Sequence, residues 1–239
     1  MIELMTKELK LLKYLQSPNV LDSIKGKPLK VLKAIDDFNA RSSQHYMIVG
    51  PAKGKFIVEE IQRTKPKILI ELGCFVGYSA VKWGHELSTI GGRYYGFEFS
   101  EDYADITRQV IEIAGLSSIS TILVGAASER LPEFAKHHKP ADFIFIDHEK
   151  SLYVPDFRVM ESVGLIGEST TIVADNIIRP GAPEYHQYVN LDSNERETYN
   201  NSHENISGSS YKGKSTNLYT SQLIPVGQDA IEITKCLSV

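Results

Sequence analysis

The segment Ile68-Leu-Ile-Glu71-Leu-Gly73-Cys-Phe-Val-Gly77-Tyr78-Ser79 determines the predicted architecture of this 239-residue chain. A short apolar run carrying one carboxylate is followed by two glycines, and an apolar helical pattern begins after them. This order predicts a buried parallel strand that turns sharply into a helix. Glycine permits a tight turn and a close ligand, and the free N–H groups at a helix start favour a negatively charged group. The segment therefore predicts a nucleotide-like cofactor site.

A second acid ends the next predicted strand. Tyr94-Tyr-Gly-Phe-Glu98 is rich in β-forming residues and ends in a carboxylate, which can accept hydrogen bonds from ribose hydroxyls. The spacing Glu71-x-Gly73-x-x-x-Gly77 lacks the first glycine of the dinucleotide fingerprint. It resembles instead the first motif of S-adenosylmethionine (SAM) methyltransferases. The alternative is an ordinary strand-to-helix turn with a solvated Glu98.

Strands and helices alternate along the rest of the chain. We predict strands at about 67–71, 93–98, 119–124, 141–146, 170–174, 216–224 and 229–235, and helices at about 78–88, 101–114, 128–137, 152–163 and 183–189. Such alternation predicts a parallel sheet with helices on both faces. The last two strands are too close for a crossover helix and are expected to pair antiparallel. The predicted fold class is α/β: a doubly wound Rossmann-like domain with a seven-stranded, mostly parallel sheet and one antiparallel edge strand.

We predict a single domain over residues 1–239, with an N-terminal helical extension in 1–45. Residues 190–214 are rich in Asn, Ser, Glu and Gly. This composition predicts a long, solvated polar loop. It could be an ordinary surface loop, a lid or a partner surface.

Composition and charge narrow the possible partners. The net charge is −4 and no basic stripe is present, so we expect no nucleic-acid partner. No apolar run approaches the length of a membrane span, so we expect no membrane partner. Two cysteines far apart in sequence predict no disulfide framework, which suits a cytoplasmic protein. We expect a monomer or a weak dimer.

Two further predicted strands end in acids. Asp147 follows the fourth strand, and Asp175-Asn176 follows the fifth. Two carboxylates and one amide oxygen at neighbouring strand ends form a hard-oxygen cluster that suits Mg²⁺, with positions left for substrate oxygens. Zinc is disfavoured because only His148 is near. Alternatively, Asp147 caps a helix and Asp175-Asn176 are turn residues.

Lys150 follows Asp147 by three residues. A lysine beside a divalent cation in a partly dry cleft has its charged form disfavoured, which makes Lys150 a candidate general base. The alternative is a solvated lysine at a helix start.

Together these motifs resemble the catechol O-methyltransferase family. The resemblance runs from about residue 45 to 183 and includes Met47-Ile-Val49-Gly50-Pro-Ala-Lys53-Gly54, Asp147-His-Glu-Lys150 and Ala174-Asp-Asn-Ile-Ile-Arg-Pro180-Gly181. It implies Mg²⁺-dependent transfer of a methyl group from SAM to a hydroxyl of a small catechol-like vicinal diol.

The resemblance also implies roles for individual residues. The implied cofactor contacts are Val49, Glu71, Gly73, Tyr78, Ser79, Glu98, Ala127, Ser128, Asp147 and His148. The implied metal ligands are Asp147, Asp175 and Asn176, and the implied catalytic residues are Lys150, Asp147 and Asn176. The implied substrate contacts are Met47, Lys150, Asn176, Pro180 and Thr220.

The chain departs from the family pattern around the substrate. His45 replaces an aromatic residue, Glu149 replaces a tryptophan, and Thr220, near Asn217 and Ser221, aligns with a late glutamate. Methyl transfer is retained as the prediction, while the substrate stays open to other chelating molecules such as phenylpropanoids, flavonoids or secondary metabolites. A SAM-binding protein without turnover is another alternative. The glycine spacing disfavours a nicotinamide oxidoreductase.

Overall fold

The structure is a computed structural model that describes residues 6–42, 46–138 and 140–239. His45, one of the departures from the family pattern, lies outside the described residues. The strands are β1 (Ile68–Leu72), β2 (Arg93–Glu98), β3 (Ser120–Val124), β4 (Phe143–Ile146), β5 (Thr171–Ala174), β6 (Leu218–Val226) and β7 (Asp229–Ser238). The helices are α1 (Lys7–Leu15), α2 (Pro18–Ile24), α3 (Pro28–Arg41), α4 (Gly50–Thr64), α5 (Tyr78–Ile90), α6 (Glu101–Ala114), α7 (Ala127–Ala135), α8 (Tyr153–Ser162), α9 (Pro183–Val189) and α10 (Ser193–Ser202).

The seven strands form one sheet in the order β3-β2-β1-β4-β5-β7-β6. Strands β1 to β5 are parallel, and β7 pairs antiparallel with both β5 and β6. The predicted fold class is confirmed, and the antiparallel strand lies one place inside the edge. Strand β7 takes this place because most of its residues are buried, whereas β6 alternates between exposed and half-buried residues.

Two apolar clusters cover the two faces of the sheet. On one face the cluster is built from α1, α3, α4, α5 and α6, and Trp83 of α5 lies edge-on to Phe145 of β4 at a centroid distance of 5.4 Å. On the other face, the cluster is built from α7, α8 and α9. Strands β1 and β4 are neighbours in the sheet. The chain continues from β1 to β2 on one side of this pair and from β4 to β5 on the other side. Ligands of doubly wound sheets bind at such a reversal, beyond the carboxyl ends of the strands.

The prediction of a long loop over 190–214 is wrong, because α10 occupies 193–202 in its first half. Asp192 and Glu195 form a reciprocal capping box at the start of α10. Arg196 is buried on this helix and donates to the carbonyl oxygens of Leu191, at 2.7 Å, and Asn217. Polar capping and a buried guanidinium thus hold a helix that has too few apolar residues to show a helical pattern.

None of the helices in the described ranges combines the length and the apolar character that crossing a membrane requires.

Candidate active site

Two glycines shape the turn between β1 and α5. Gly73 has a φ of +88°, and a Cβ there would lie 2.7 Å from the carbonyl oxygen of Asp147. Gly77 has a φ of +82°, and a Cβ there would lie 3.2 Å from the Cα of Thr107. Both positions therefore favour glycine strongly. The turn also brings the end of β1 into direct contact with the end of β4.

Glu71 is the fully buried carboxylate of β1. Its Oε2 accepts a hydrogen bond from the Tyr94 hydroxyl, whereas its Oε1 is buried and has no partner among the described residues. Burial raises the pKa of Glu71 to about 8. Buried acceptors are rarely left unpaired in folded proteins. The orphaned oxygen therefore suits a ligand that brings a donor, above all a cationic one.

Glu98, at the end of β2, closes the glycine turn. Its Oε2 accepts from the backbone N–H groups of Cys74 at 3.0 Å and Phe75 at 2.9 Å. Its Oε1 accepts from the backbone N–H of Ser100 at 3.0 Å. An ionised carboxylate offers about four lone-pair sites. Glu98 can therefore hold the turn and still accept from a ligand hydroxyl.

Four other predicted cofactor residues lie at the same edge of the sheet. Val49 immediately precedes α4, Ser79 is in the first turn of α5, and Ala127 and Ser128 begin α7. Helices α5 and α7 start where β1 and β3 end, and α4 starts at this edge because its other end leads into β1. Their placement agrees with a cofactor that spans the ends of β1, β2 and β3.

Tyr78 is the exception among the predicted cofactor residues. Its side chain is buried and its hydroxyl donates to Asp36 of α3 at 3.3 Å. The Tyr78 phenol therefore faces the N-terminal helices. This orientation does not support a contact between the Tyr78 side chain and the cofactor. The pattern at the helix start could not distinguish a ligand contact from a core tyrosine.

His148 lies over the glycine turn, since a Cβ on Gly73 would come within 2.9 Å of its Cα. Its Nε2 is 2.9 Å from Asp156 Oδ2, while its Nδ1 is buried without a partner among the described residues. Asp156 is itself buried and accepts from the Ser207 hydroxyl at 2.6 Å. A buried carboxylate therefore fixes this imidazole beside the predicted cofactor site.

Asp147 and Asp175 lie side by side at the ends of β4 and β5. They directly follow Ile146 and Ala174, which are register partners in the parallel pair. Lys150 Nζ is 3.0 Å from Asp147 Oδ1. Desolvation raises the pKa of Asp147 above its usual value, with Lys150 opposing the shift and Asp175 adding to it. Burial likewise raises the pKa of Asp175, against the hydrogen bond and charge of Lys53.

Two residues of this cluster received no role from the sequence. Lys53 of α4 places its Nζ 2.6 Å from Asp175 Oδ1 and 2.7 Å from Asp229 Oδ2. Asp229 begins β7 and also accepts from Asn176 Nδ2 at 2.9 Å. Burial works to raise the pKa of Asp229, but hydrogen bonds from Lys53, Arg179, Asn176 and Ala230 outweigh it and hold that pKa below its usual range. The sequence contained one indication of this role: Asp229 is an acid beside the predicted hairpin turn, and that turn lies at the sheet edge where ligands bind.

The donor set at these strand ends fits a hard divalent cation. Asp147, Asp175 and Asn176 offer carboxylate and amide oxygens, which are the ligands that Mg²⁺ prefers. No group of three or more His, Cys, Asp and Glu side chains placed to hold a metal occurs within 6–42, 46–138 and 140–239, so the set depends on the asparagine. The ammonium of Lys53 holds Asp175 Oδ1. A bound cation would therefore share or displace that contact.

The predicted substrate residues divide into two groups. Asn176 directly follows Asp175 and Pro180 lies four residues further on, whereas Met47 precedes Lys53 by six residues; Met47 and Pro180 are exposed, as suits the rim of a site. Lys150 touches the cluster directly.

The placement of Thr220 is a correction. It pairs with Lys235, which pairs with Thr171, the first residue of β5, whereas Asp175 follows the last. Four residues of strand separate the two levels, roughly 13 Å. The hairpin between β6 and β7 brings Asp229 to the cluster instead. Alignment of this divergent segment could not reveal that register.

Fold and site together define an α/β protein with a nucleotide-like cofactor site beside a cluster of acids. A sequence model of the O-methyltransferase family matches residues 23–201. Catechol O-methyltransferase from Bos taurus is 37% identical over 169 residues, which cover 70% of this chain and 61% of that protein. Catechol O-methyltransferase from Mus musculus is 37% identical over 186 residues, 77% of this chain and 68% of that protein.

Solved structures agree in fold. The O-methyltransferase from Bacillus cereus in complex with SAH (S-adenosylhomocysteine) superposes with a TM-score of 0.63, at 23% identity, over 90% of this chain and 99% of that one. The chain belongs to the O-methyltransferase family. The predicted family resemblance and the predicted enzyme class, O-methyltransferase, are confirmed.

Proposed function

We propose that this protein transfers the methyl group of SAM to one hydroxyl of a catechol-like vicinal diol, in a reaction that depends on Mg²⁺. One observation carries the proposal: the glycine turn and the acid cluster touch. Only glycine fits at position 73 beneath the Asp147 carbonyl, and Asp147 in turn neighbours Asp175. A methyl donor in the turn and a chelated diol at the acids would therefore meet. The names of the Bos taurus and Mus musculus relatives support the choice of substrate.

The cofactor site suits the groups that SAM carries. The unpaired Oε1 of Glu71 is an acceptor for its α-ammonium group. The N-terminus of α5, after Gly77, favours its carboxylate. The Glu98 carboxylate can accept from its ribose hydroxyls. SAM has no phosphate, which agrees with the missing pyrophosphate glycine.

In the proposed mechanism, the protein orients two oxygens of the diol and removes one proton. Asp147, Asp175 and Asn176 would hold Mg²⁺, which when bound supplies charge stabilisation for the ionised hydroxyl. Lys150, as the neutral amine, accepts the hydroxyl proton, and the ammonium that forms donates to the three groups its Nζ contacts: Asp147, the His148 carbonyl oxygen and the Tyr153 hydroxyl. The phenolate oxygen then forms a bond to the methyl carbon as the carbon–sulfur bond breaks, and SAH leaves.

A broader substrate class is a second candidate, favoured by the open rim. Glu149 stands where the family has a tryptophan, and it is exposed, as are Met47 and Pro180. An open rim suits a bulkier chelating molecule, such as a phenylpropanoid or a flavonoid with vicinal hydroxyls.

A labelled-methyl transfer assay over a panel of vicinal diols tests the function. We expect transfer with Mg²⁺, none in excess EDTA, and none from Asp175→Ala, while SAH binding by calorimetry persists in this variant. Asp142→Asn is the matched control, because Asp142 accepts backbone N–H groups of Lys67 and Ile68 at the opposite edge of the sheet. Undiminished transfer in EDTA would refute the metal dependence. SAH binding without product from any diol would favour a protein without turnover.

A further inference from the structure

Asp229 receives more hydrogen bonds than its neighbours at the acid cluster. Its side chain is only 12% exposed. Its Oδ1 accepts from three backbone N–H groups: Ile178 at 3.1 Å, Arg179 at 2.8 Å and Ala230 at 2.8 Å. Its Oδ2 accepts from Lys53 Nζ at 2.7 Å and from Asn176 Nδ2 at 2.9 Å. One carboxylate therefore joins β7, α4 and the segment that follows β5.

The Asn176 amide has its orientation fixed by these contacts. Its Nδ2 donates to Asp229 Oδ2 at 2.9 Å and to the Arg179 carbonyl oxygen at 3.1 Å. A side-chain amide has two N–H donors, and both are used. The amide oxygen, Oδ1, is then the atom left to bind a ligand. A flipped amide would point its oxygen at two acceptors and lose both bonds.

The backbone at Asn176 has a left-handed conformation, which the contacts of Asp229 help to hold. Its φ is +58° and its ψ is +39°, the left-handed region that residues other than glycine seldom adopt. Asp229 holds the next turn of chain through the N–H groups of Ile178 and Arg179. The same side chain therefore fixes the backbone and the amide of a predicted metal ligand.

Lys53 is the second group that Asp229 restrains. The ammonium lies between Asp175 Oδ1 and Asp229 Oδ2, at 2.6 and 2.7 Å. Without the charge of Asp229, Lys53 would have Asp175 as its one close carboxylate among the described residues. The positive charge of Lys53 would then act on the Asp175 oxygens alone, and it would oppose a cation that needs those oxygens as ligands.

We propose that Asp229 is a positioning residue for the cation site: it directs the Asn176 amide oxygen towards the cation. This inference rests on the proposed function, because it assumes that Asn176 and Asp175 hold a metal. Asp229 itself is not assigned as a ligand.

Asp229→Asn tests the proposal with little change of shape. An asparagine that keeps its oxygen towards the three backbone N–H groups turns its own amide nitrogen towards Lys53 and Asn176, which are both donors. We expect the affinity for Mn²⁺, measured by electron paramagnetic resonance of the free ion, to fall about 10- to 100-fold, as for other partners of metal ligands. SAH affinity, measured by calorimetry, should stay unchanged, which also shows that the variant is folded.

Asp142→Asn is the matched control and should keep the wild-type affinity for Mn²⁺. A double-mutant cycle with Asn176→Ala then separates positioning from a general loss of structure. If Asp229 acts through Asn176, adding Asp229→Asn to Asn176→Ala should cause much less than the loss it causes alone. Two losses that simply add, or an unchanged Mn²⁺ affinity in Asp229→Asn, would overturn this proposal. A wild-type protein that binds no Mn²⁺ would overturn the metal dependence as well.

Discussion

At the scale of single residues, the site holds several carboxylates in direct contact with two lysines. Asp175 and Asp229 share the ammonium of Lys53, and Asp147 has Lys150. Glu71 differs from them, since its Oε1 has no partner within the described part of the chain. A buried carboxylate with no cationic partner resists ionisation. Ionisation of Glu71 in the ligand-free protein should therefore depend on the pH of the solution.

Glu71 gives a first prediction, on the pH dependence of stability. Its folded-state pKa of about 8 lies above the usual 4.5, so between these values the folded state binds more protons than the unfolded state. The contribution of Glu71 to the free energy of unfolding is fully present below pH 4.5 and is lost as the pH rises towards 8. Urea unfolding of the ligand-free protein at a series of pH values measures this.

The Glu71→Gln variant is the control for this prediction, because an amide does not titrate in this range. It should lose less stability than the wild type between pH 5 and pH 8. Parallel pH profiles for the two proteins would show that Glu71 is ionised throughout.

Lys150 gives a second prediction, on the proton transfer. Lys150→Met should lower the turnover rate about 10²- to 10⁴-fold, the usual contribution of a positioned general base, with SAH affinity retained. Lys136→Met is the matched control, since Lys136 forms an exposed ion pair with Glu133 on α7. Turnover of Lys150→Met at the wild-type rate with the wild-type pH profile would exclude Lys150 as the base.

At the scale of elements, the segment from α10 to β6 is held by a buried polar network. Glu161 of α8 is fully buried and accepts from the hydroxyls of Tyr188 and Tyr219, both at 2.7 Å. The Arg196 guanidinium lies over the Tyr219 ring, 4.7 Å from its centroid. Gly213 packs against this network. The network replaces the apolar stripe that usually docks a helix.

Gly213 gives a third prediction, on the rigidity of this network. A Cβ there would lie 2.6 Å from Glu161 Oε2 and 2.8 Å from the Tyr188 hydroxyl, and the φ is +84°. Gly213→Ala should cost about 1–2 kcal/mol for the left-handed backbone and about 1–3 kcal/mol more for the overlap. Gly164→Ala should show the backbone cost alone, since Gly164 has a φ of +76° and nothing within 4 Å. Equal losses of unfolding free energy for the two variants, measured by urea unfolding, would show that the network rearranges at no cost to accommodate the Cβ.

Sequence patterns revealed those elements and residues whose environment is local in the chain. Each of β1 to β5 is an apolar run with a turn or a helix start after it, and Asp147 and Asp175 directly follow such runs. The helix α10 was missed because a capping box and a buried arginine stabilise it. Asp229 was missed because its partner Lys53 is 176 residues away. The sheet order and the packing of α4 together bring these two residues into contact.

At the scale of the whole molecule, the carboxyl edge of the sheet joins the two packed faces. The glycine turn leads into α5 on one face, and the acid cluster leads into α8 on the other. A ligand that bridges the two should therefore stabilise the entire domain rather than one face of it.

A fourth prediction concerns this global stabilisation. SAH at a hundred times its dissociation constant should stabilise the protein by about 2.7 kcal/mol, a rise in Tm of about 5–10 °C for a chain of this size. The single tryptophan, Trp83, packs buried against Phe145 and reports the unfolding by its fluorescence. NAD⁺ at the same concentration is the control and should leave Tm unchanged. An equal rise with NAD⁺ would contradict the preference for SAM.

The position of β7 also constrains how the protein can be made. It follows every other strand in chain order, yet it lies between β5 and β6. On the ribosome, β5 and β6 emerge before the strand that must separate them, and until then their facing edges have unpaired N–H and C=O groups. The nascent chain must leave that gap open. Premature pairing of β6 with β5 would exclude β7, and with it the carboxylate of Asp229.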